Sequence, residues 1–178
     1  MKKLIAILLL LVLVTSLVAC GDEDANAPEG MKNVAVENAA FCLYVPELWL
    51  AQNQGGISGA LSPKGNASVL ATAYLPTDSY LDAKEYWTKK CCVDYAADLT
   101  EFTVIESECK EAMLGVEKAY QAVYTYKSAG LTYKQMQVIM LKSGMIYTVE
   151  YTALVGEAYN EWITSGDVSS IAANFVLR

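Results

Sequence analysis

The chain has 178 residues, 54% of them apolar, which is enough for one compact domain with its own core. Its 20 acidic and 13 basic side chains give a net charge of −7, which argues against nucleic-acid binding, because phosphate contacts need clustered Lys and Arg. There is no histidine, so catalytic pairs and metal sites that depend on imidazole are excluded.

The first nineteen residues have the pattern of a secretory signal peptide. Lys2 and Lys3 precede an apolar run from Leu4 to Val14, which is too short to cross a bilayer. The following Leu17-Val18-Ala19-Cys20 resembles the lipobox of bacterial lipoproteins. This resemblance implies cleavage before Cys20 and a diacylglyceryl thioether on its sulfur, and two acyl chains of such a lipid anchor a protein stably. An ordinary signal peptide with a chance cysteine is the alternative.

Residues 20–36 are predicted to be the lipidated cysteine and a flexible acidic tether. The stretch from Gly21 to Asn33 is polar and contains Pro and Gly, as linkers do. Cleavage would also remove Lys2 and Lys3, leaving 11 basic side chains against 20 acidic ones. The mature chain is therefore expected to carry a net charge of −9.

Residues 37–178 have the pattern of a single α+β domain. Apolar and aromatic runs bounded by turn residues predict strands over residues 41–45, 48–51, 57–61 and 68–75. Thr77-Asp78-Ser79 offers N-caps for a helix that begins near Tyr80, and a shift of its apolar stripe predicts a break near Cys91–Asp94. Strands over residues 102–109, 116–127, 131–141 and 145–153 follow, and then a helix over 159–176 with a restart at Ser165-Gly166-Asp167. This order predicts an antiparallel sheet flanked by helices.

Four cysteines remain besides the predicted lipid site, namely Cys42, Cys91, Cys92 and Cys109. Outside the cytoplasm they are candidates for disulfides. Because adjacent cysteines rarely bond to each other, we expect either Cys91 or Cys92 to pair with Cys109 and the other with Cys42. Free buried thiols and a zinc site made of all four thiolates are the alternatives, although the C-x-x-C spacing of zinc sites is missing.

The last three strands have a defined register if Ala129-Gly130 and Ser143-Gly144 form two-residue turns. One face is then largely apolar and suited to pack against a helix; it contains Val123, Met136, Val138, Met140, Tyr147, Val149 and Tyr151. The opposite face is rich in tyrosine and amides, and we interpret it as a candidate binding face; it contains Tyr124, Tyr126, Tyr133, Gln135, Gln137 and Glu150. Tyrosine offers a large contact area with a polar tip, but strands also favour it for structural reasons alone.

Signals for catalysis are sparse. Glu106 and Glu108 lie two apart in a predicted strand and so on one face, where paired carboxylates can share a proton; a solvated strand edge is the simpler interpretation. Gly55-Gly56 lacks the Lys-Ser/Thr of a phosphate-binding loop. The serines have no histidine base. We therefore predict no catalytic residue, no metal site and no cofactor.

The order of several motifs resembles the PsbP-like group and its DcrB-like bacterial lipoprotein relatives. The segment Phe41-Cys42-Leu43-Tyr44-Val45-Pro46-Glu47-Leu48-Trp49 is similar to an aromatic-x-Leu-x-Tyr-Pro-x-x-Trp opening, from which Val45 departs. Tyr86-Trp87 in the middle helix, the segment from Tyr147 to Ala153 and the segment from Ile171 to Phe175 continue the resemblance, which spans residues 37–176. It implies an α-β-α sandwich around an antiparallel sheet and no shared catalytic residues.

Together these features predict a lipoprotein of the cell membrane that faces outside the cytoplasm and acts as a non-catalytic binding or assembly module. Its expected partners are membrane lipid, through the acylated Cys20, and a protein or cell-envelope component, with no nucleic acid. The alternative is a carrier of a small ligand or ion attached to a cell-envelope system.

Overall fold

The computed structural model describes residues 27–178, so the predicted signal peptide and Cys20 lie outside the described residues. Within the predicted tether, however, β1 (Met31–Asn33) pairs with β3 (Tyr44–Pro46). Met31 and Val34 are buried, and the Asn33 side-chain oxygen accepts hydrogen bonds from the Ala35 and Leu43 backbone N–H groups. The folded domain therefore begins before residue 37, because these contacts with distant residues outweigh the polar composition of the segment.

The central sheet is antiparallel, in the strand order β4-β5-β6-β11-β10-β9-β7, with β8 also paired to β9. The expected α+β architecture is thus confirmed. Its strands are β4 (Leu50–Ala51), β5 (Ser58–Leu61), β6 (Ala67–Tyr74), β7 (Thr100–Val104), β8 (Lys110–Leu114), β9 (Glu117–Ser128), β10 (Leu131–Lys142) and β11 (Met145–Leu154). A short β2 (Phe41–Cys42) pairs with β12 (Val176–Leu177) outside this sheet.

The two predicted tight turns are present and set the register. Ala129, Gly130, Ser143 and Gly144 all have positive φ values, as a type I′ turn requires at both central positions. Met136 consequently lies opposite Val123 on one side and Tyr151 on the other. Because this is the register derived from the turns, both predicted faces have their predicted members.

The helix that follows β6 differs in detail from its prediction. It begins at Ala83 rather than near Tyr80, because the Asp82 carboxylate caps it by accepting from the Glu85 backbone N–H at 2.7 Å. Where a break was expected, α1 (Ala83–Tyr86) continues through a π-helical turn (Trp87–Cys91) into α2 (Cys92–Asp98). A π-helical turn contains more residues than an α-helical one, so the apolar stripe of α2 also faces the sheet although the helix is not interrupted.

One predicted strand is divided. Residues 102–109 form the end of β7 and then a 3₁₀ turn (Glu106–Glu108), after which β8 continues along β9 in the same direction as β7. The Ile105 backbone N–H still donates to the Val123 carbonyl of β9. The backbone of Ile105 is no longer extended, however, and the 3₁₀ turn begins at the next residue. Sequence alternation alone did not reveal β8.

The C-terminal segment contains α3 (Glu157–Thr164) and α4 (Asp167–Ala173), with the predicted restart between them. These helices cover the apolar face of the sheet, where Trp162 and Ile171 join Tyr151 and Val123 in one core. The α1–α2 segment covers the opposite face in a second core around Trp87 and Tyr124. The result is a three-layer α-β-α sandwich. Among the described residues, no helix is long and apolar enough to span a membrane.

A closed amide–tyrosine face as the candidate functional site

The six residues predicted to form a binding face do share one face of the β9-β10-β11 sheet. Tyr126 lies opposite Tyr133, Tyr124 opposite Gln135, and Gln137 opposite Glu150. We call this set, Tyr124, Tyr126, Tyr133, Gln135, Gln137 and Glu150, the amide–tyrosine face. Two-residue turns and strict strand alternation bring it together.

This face is covered rather than open. Tyr124 and Gln137 are each only 1% exposed, and Tyr126, Tyr133 and Gln135 are also buried. Trp87 stacks on Tyr124 with a ring-centroid separation of 5.5 Å, and Tyr95 approaches the same ring at 5.3 Å. The candidate binding face is therefore largely buried, because the α1–α2 segment packs its own aromatic stripe against these tyrosines.

Glu150 is the central polar group of the amide–tyrosine face. Its two carboxylate oxygens each accept one amide hydrogen bond of 2.9 Å, from Gln137 Nε2 and from Gln135 Nε2. Gln137 Nε2 also lies 3.3 Å from the Tyr95 hydroxyl in the helical cover. None of the ion pairs among the described residues includes Glu150. Burial raises the pKa of the Glu150 carboxyl above its usual range, and the two amide hydrogen bonds oppose this only in part.

The other groups around Glu150 are held neutral. Burial raises the pKa of Tyr126 to about 12 and raises the pKa values of Tyr95 and Tyr124 well above the ordinary tyrosine range. Burial likewise raises the pKa of the Cys91 thiol to about 12, so this cysteine is a poor nucleophile. The amide oxygen of Gln137 is buried and has no hydrogen-bond partner within the described chain. The arrangement suits a buried polar network more than proton transfer to a substrate.

The four cysteines lie on two sides of the sheet. Cys42 belongs to the core that contains Trp162, and its sulfur accepts a hydrogen bond from Arg178 Nε at 3.1 Å. Cys91, Cys92 and Cys109 belong to the core on the opposite face. No disulfide joins these four residues in the structure. Neither a pair between Cys42 and the vicinal cysteines nor a four-thiolate zinc site can form across the sheet, whereas Cys92 and Cys109 pack against the same core.

The described residues contain no group of three or more acidic or thiol side chains placed to hold a metal ion. Glu106 and Glu108, expected to share a strand face, instead lie in the 3₁₀ turn. Glu108 forms an ion pair of 2.6 Å with Lys134, which gives that carboxylate a structural partner.

A small cleft lies at another place, between the β5–β6 turn and the junction of α3 with α4. Its volume is about 150 Å³, and a solvent-exposed ion pair between Lys64 and Glu161 forms part of its lining. Trp162 lines the cleft, and its buried indole N–H has no hydrogen-bond partner within the described chain. The sequence carried no signal for this cleft, because Lys64 and Glu161 are 97 residues apart.

No protein-family model matches the sequence, and no curated protein matches it either. Solved structures do match. The cyanobacterial PsbP (CyanoP) of Synechocystis sp. PCC 6803 is 12% identical, with a TM-score of 0.58 over 91% of this chain and 99% of that one. The Ran-binding protein Mog1p of Saccharomyces cerevisiae is 9% identical, with a TM-score of 0.56 over 83% and 95%.

LpqN, a protein involved in cell envelope biogenesis of Mycobacterium tuberculosis, is 15% identical, with a TM-score of 0.51 over 77% of this chain and 82% of that one. This chain spans only 45% of the length of a further similar structure, from Bacteroides thetaiotaomicron VPI-5482. At such identities the similarity defines a fold. The chain has the PsbP-like α+β fold that its motif order implied.

Proposed function

We propose that this chain is an extracytoplasmic lipoprotein, held to a membrane through Cys20, that acts as a non-catalytic binding or assembly module. The single observation that carries this proposal is the closure of the amide–tyrosine face. Here two amides, several phenols and a thiol are buried under the helical cover, and the Glu150 carboxyl that joins them keeps only partial exposure. Such a network is typical of a structural polar core.

The fold neighbours support the same class of function. Mog1p is named as a Ran-binding protein and LpqN as a protein of cell envelope biogenesis. The first of these roles is the binding of a protein, and the second concerns the cell envelope. Combined with the lipobox-like sequence at Cys20, they favour a module that works at the cell envelope.

The connection between β6 and α1 is the part of the surface that we assign to partner binding. Leu75 and Leu81 are both largely exposed, the latter at 88%, although leucine is an apolar residue. Tyr80 and Tyr86 pack edge to face with ring centroids 5.0 Å apart and support this connection from beneath. Exposed apolar side chains on a well-packed support are typical of surfaces that contact another protein.

In-cell photocrosslinking tests this proposal. A photoreactive residue is placed at position 75 or 81, and a matched control at Val116, which is equally apolar and exposed at the turn between β8 and β9. We expect one discrete protein adduct from positions 75 and 81 and none from position 116. Cys20→Ala should abolish incorporation of a labelled fatty acid and release the chain from membranes. Equal capture of bulk proteins at all three positions, or retained labelling in Cys20→Ala, would contradict the proposal.

The carrier alternative has one observation in its favour, the cleft beside Trp162. Its volume of about 150 Å³ is well below the roughly 300–1,000 Å³ typical of ligand pockets. The cleft could therefore accept only a small group, and the binding module remains the better supported function.

A further inference from the structure

Two exposed leucines flank a buried tryptophan where the chain leaves β3 and enters β4. Leu48 and Leu50 are 78% and 58% exposed, whereas Trp49 between them is 1% exposed. Trp49 stacks on Trp162 at 5.9 Å and donates its indole N–H to Asp167 Oδ2 at 3.3 Å. Because Trp49 is fixed in the core, the backbone on either side of it cannot rotate to bury the two leucines. Both leucine side chains therefore stay exposed to solvent.

The polypeptide joins the folded domain beside these leucines. The Glu47 backbone N–H donates to the Gly30 carbonyl at 3.0 Å, and Met31 lies opposite Pro46 in the β1–β3 pair. The chain therefore enters β1 beside Glu47, the residue that precedes Leu48. In contrast, the exposed Leu81 follows Tyr74, at the opposite end of β6 from Ser68, the residue that pairs with Leu61. The exposed Val93 lies in α2.

The position of the proposed anchor limits the distance between this surface and a bilayer. Ala27 follows Cys20 by seven positions, and a fully extended chain of that length reaches about 25 Å. This step rests on the proposed function, since it takes Cys20 as the lipid site. A short tether also holds the domain at an effective concentration in the millimolar range, so that a weak apolar contact is sufficient for docking.

We infer that Leu48 and Leu50 form a docking surface for the membrane that holds the anchor, with both side chains at the boundary between lipid headgroups and acyl chains. Glu29 and Glu47 are exposed next to this surface. Their negative charges disfavour a strongly anionic bilayer, so the matching surface is one rich in zwitterionic lipid. The same docking places Leu81, which follows the far end of β6, away from the membrane.

Apolar surface continues from Leu50 to its partner in the neighbouring strand. Leu50 pairs with Leu61, which is half-buried and lies on the same face of the sheet. The docking surface is thus larger than two isolated side chains, which are common on any protein surface.

The test uses the full-length lipidated protein in phosphatidylcholine vesicles. A photoreactive residue is placed at position 48 or 50, with matched controls at positions 81 and 93, and lipid adducts are measured by mass spectrometry. We expect about tenfold more adducts at 48 and 50 than at the controls, the factor that burial of one leucine side chain supplies. With the photoreactive residue at 48, Leu50→Asp should lower the yield by a similar factor, and Leu81→Asp should leave it unchanged.

The outcomes separate this inference from the proposed function. The acyl mass on Cys20 and flotation of the vesicles are measured in the same sample. A protein that floats with its acyl chains but gives equal adducts at all four positions overturns the docking surface alone. Crosslinks between two copies of the chain through position 48 also overturn it, in favour of a dimer contact. A protein without acyl chains that fails to float overturns both proposals.

Discussion

Glu150 is a carboxyl held among tyrosines, with two amides as its hydrogen-bond donors and no cation among the ion pairs of the described residues. Its pKa is raised in the folded state by burial. The unfolded chain therefore releases this proton at lower pH than the folded chain does. The contribution of Glu150 to stability is present below the ordinary carboxyl pKa and is lost as the pH rises through the folded-state pKa.

Glu150→Gln should accordingly stabilise the protein at neutral pH, by about 1 kcal/mol, and remove part of the pH dependence. The amide keeps the shape of the carboxyl, and after a flip of the Gln137 side chain it can donate to the Gln137 oxygen that now lacks a partner. Urea unfolding across the acidic to neutral range measures the effect. The exposed Glu47→Gln is the control, and a Glu150→Gln variant that follows the wild type at every pH would contradict the assignment.

At the scale of elements, the hairpins show how local residues set a long-range arrangement. Positive φ at Ser143 and Gly144 matches the twist of the flanking strands, and this turn aligns β10 with β11. The β8–β9 turn has an additional role. The Gly115 backbone N–H donates to the Ala172 carbonyl at 2.7 Å, which joins the sheet to α4.

Two alanine substitutions distinguish these roles. In Gly144→Ala, the new Cβ meets nothing within 4 Å, so only the positive φ is strained and the cost is about 1 kcal/mol. In Gly115→Ala, the Cβ would also approach the Phe175 carbonyl oxygen to 2.1 Å, and we expect a loss of about 3 kcal/mol or more. Thermal unfolding of both variants measures the difference. Equal losses of stability in the two variants would contradict this prediction, because they would mean that the Phe175 backbone moves away from the new Cβ at little cost.

The helical cover illustrates a limit of reasoning at this scale. The stripe shift near Cys91 was visible in the sequence, and the structure realises it as a π-helical turn. The surface against which this stripe packs was not visible. Both faces of the sheet carry large apolar side chains, so the sequence of a strand does not show which helix will cover which face.

At the scale of the whole molecule, residues 27–36 belong to the domain and not to its tether. Met31 and Val34 are buried in the core that contains Trp162, and Asn33 supports the turn toward Leu43. The composition of the segment gave no sign of this, because its few apolar residues do not produce a periodic signal.

A chain that starts at Glu37 should therefore be less stable than one that starts at Ala27. Loss of two buried apolar side chains and of the β1–β3 hydrogen bonds should cost about 4 kcal/mol. Thermal unfolding of the two chains, with Glu29→Gln in the longer one as a surface control, measures this cost. Coincident melting of the two chains would mean that β1 adds nothing to the fold.

The sequence by itself determined the features that depend on neighbouring residues. Glycine after a small residue at two turns defined the hairpins, alternation assigned the tyrosines and amides of β9, β10 and β11 to their common face, and the absence of histidine excluded imidazole chemistry. Only the tertiary structure decided what lies over each face, that Cys42 is separated from Cys91 by the sheet, and that Leu48 is exposed beside the N-terminal strand. The physical reason is that side-chain period defines two faces of a strand, whereas burial depends on layers contributed by residues far apart in the chain.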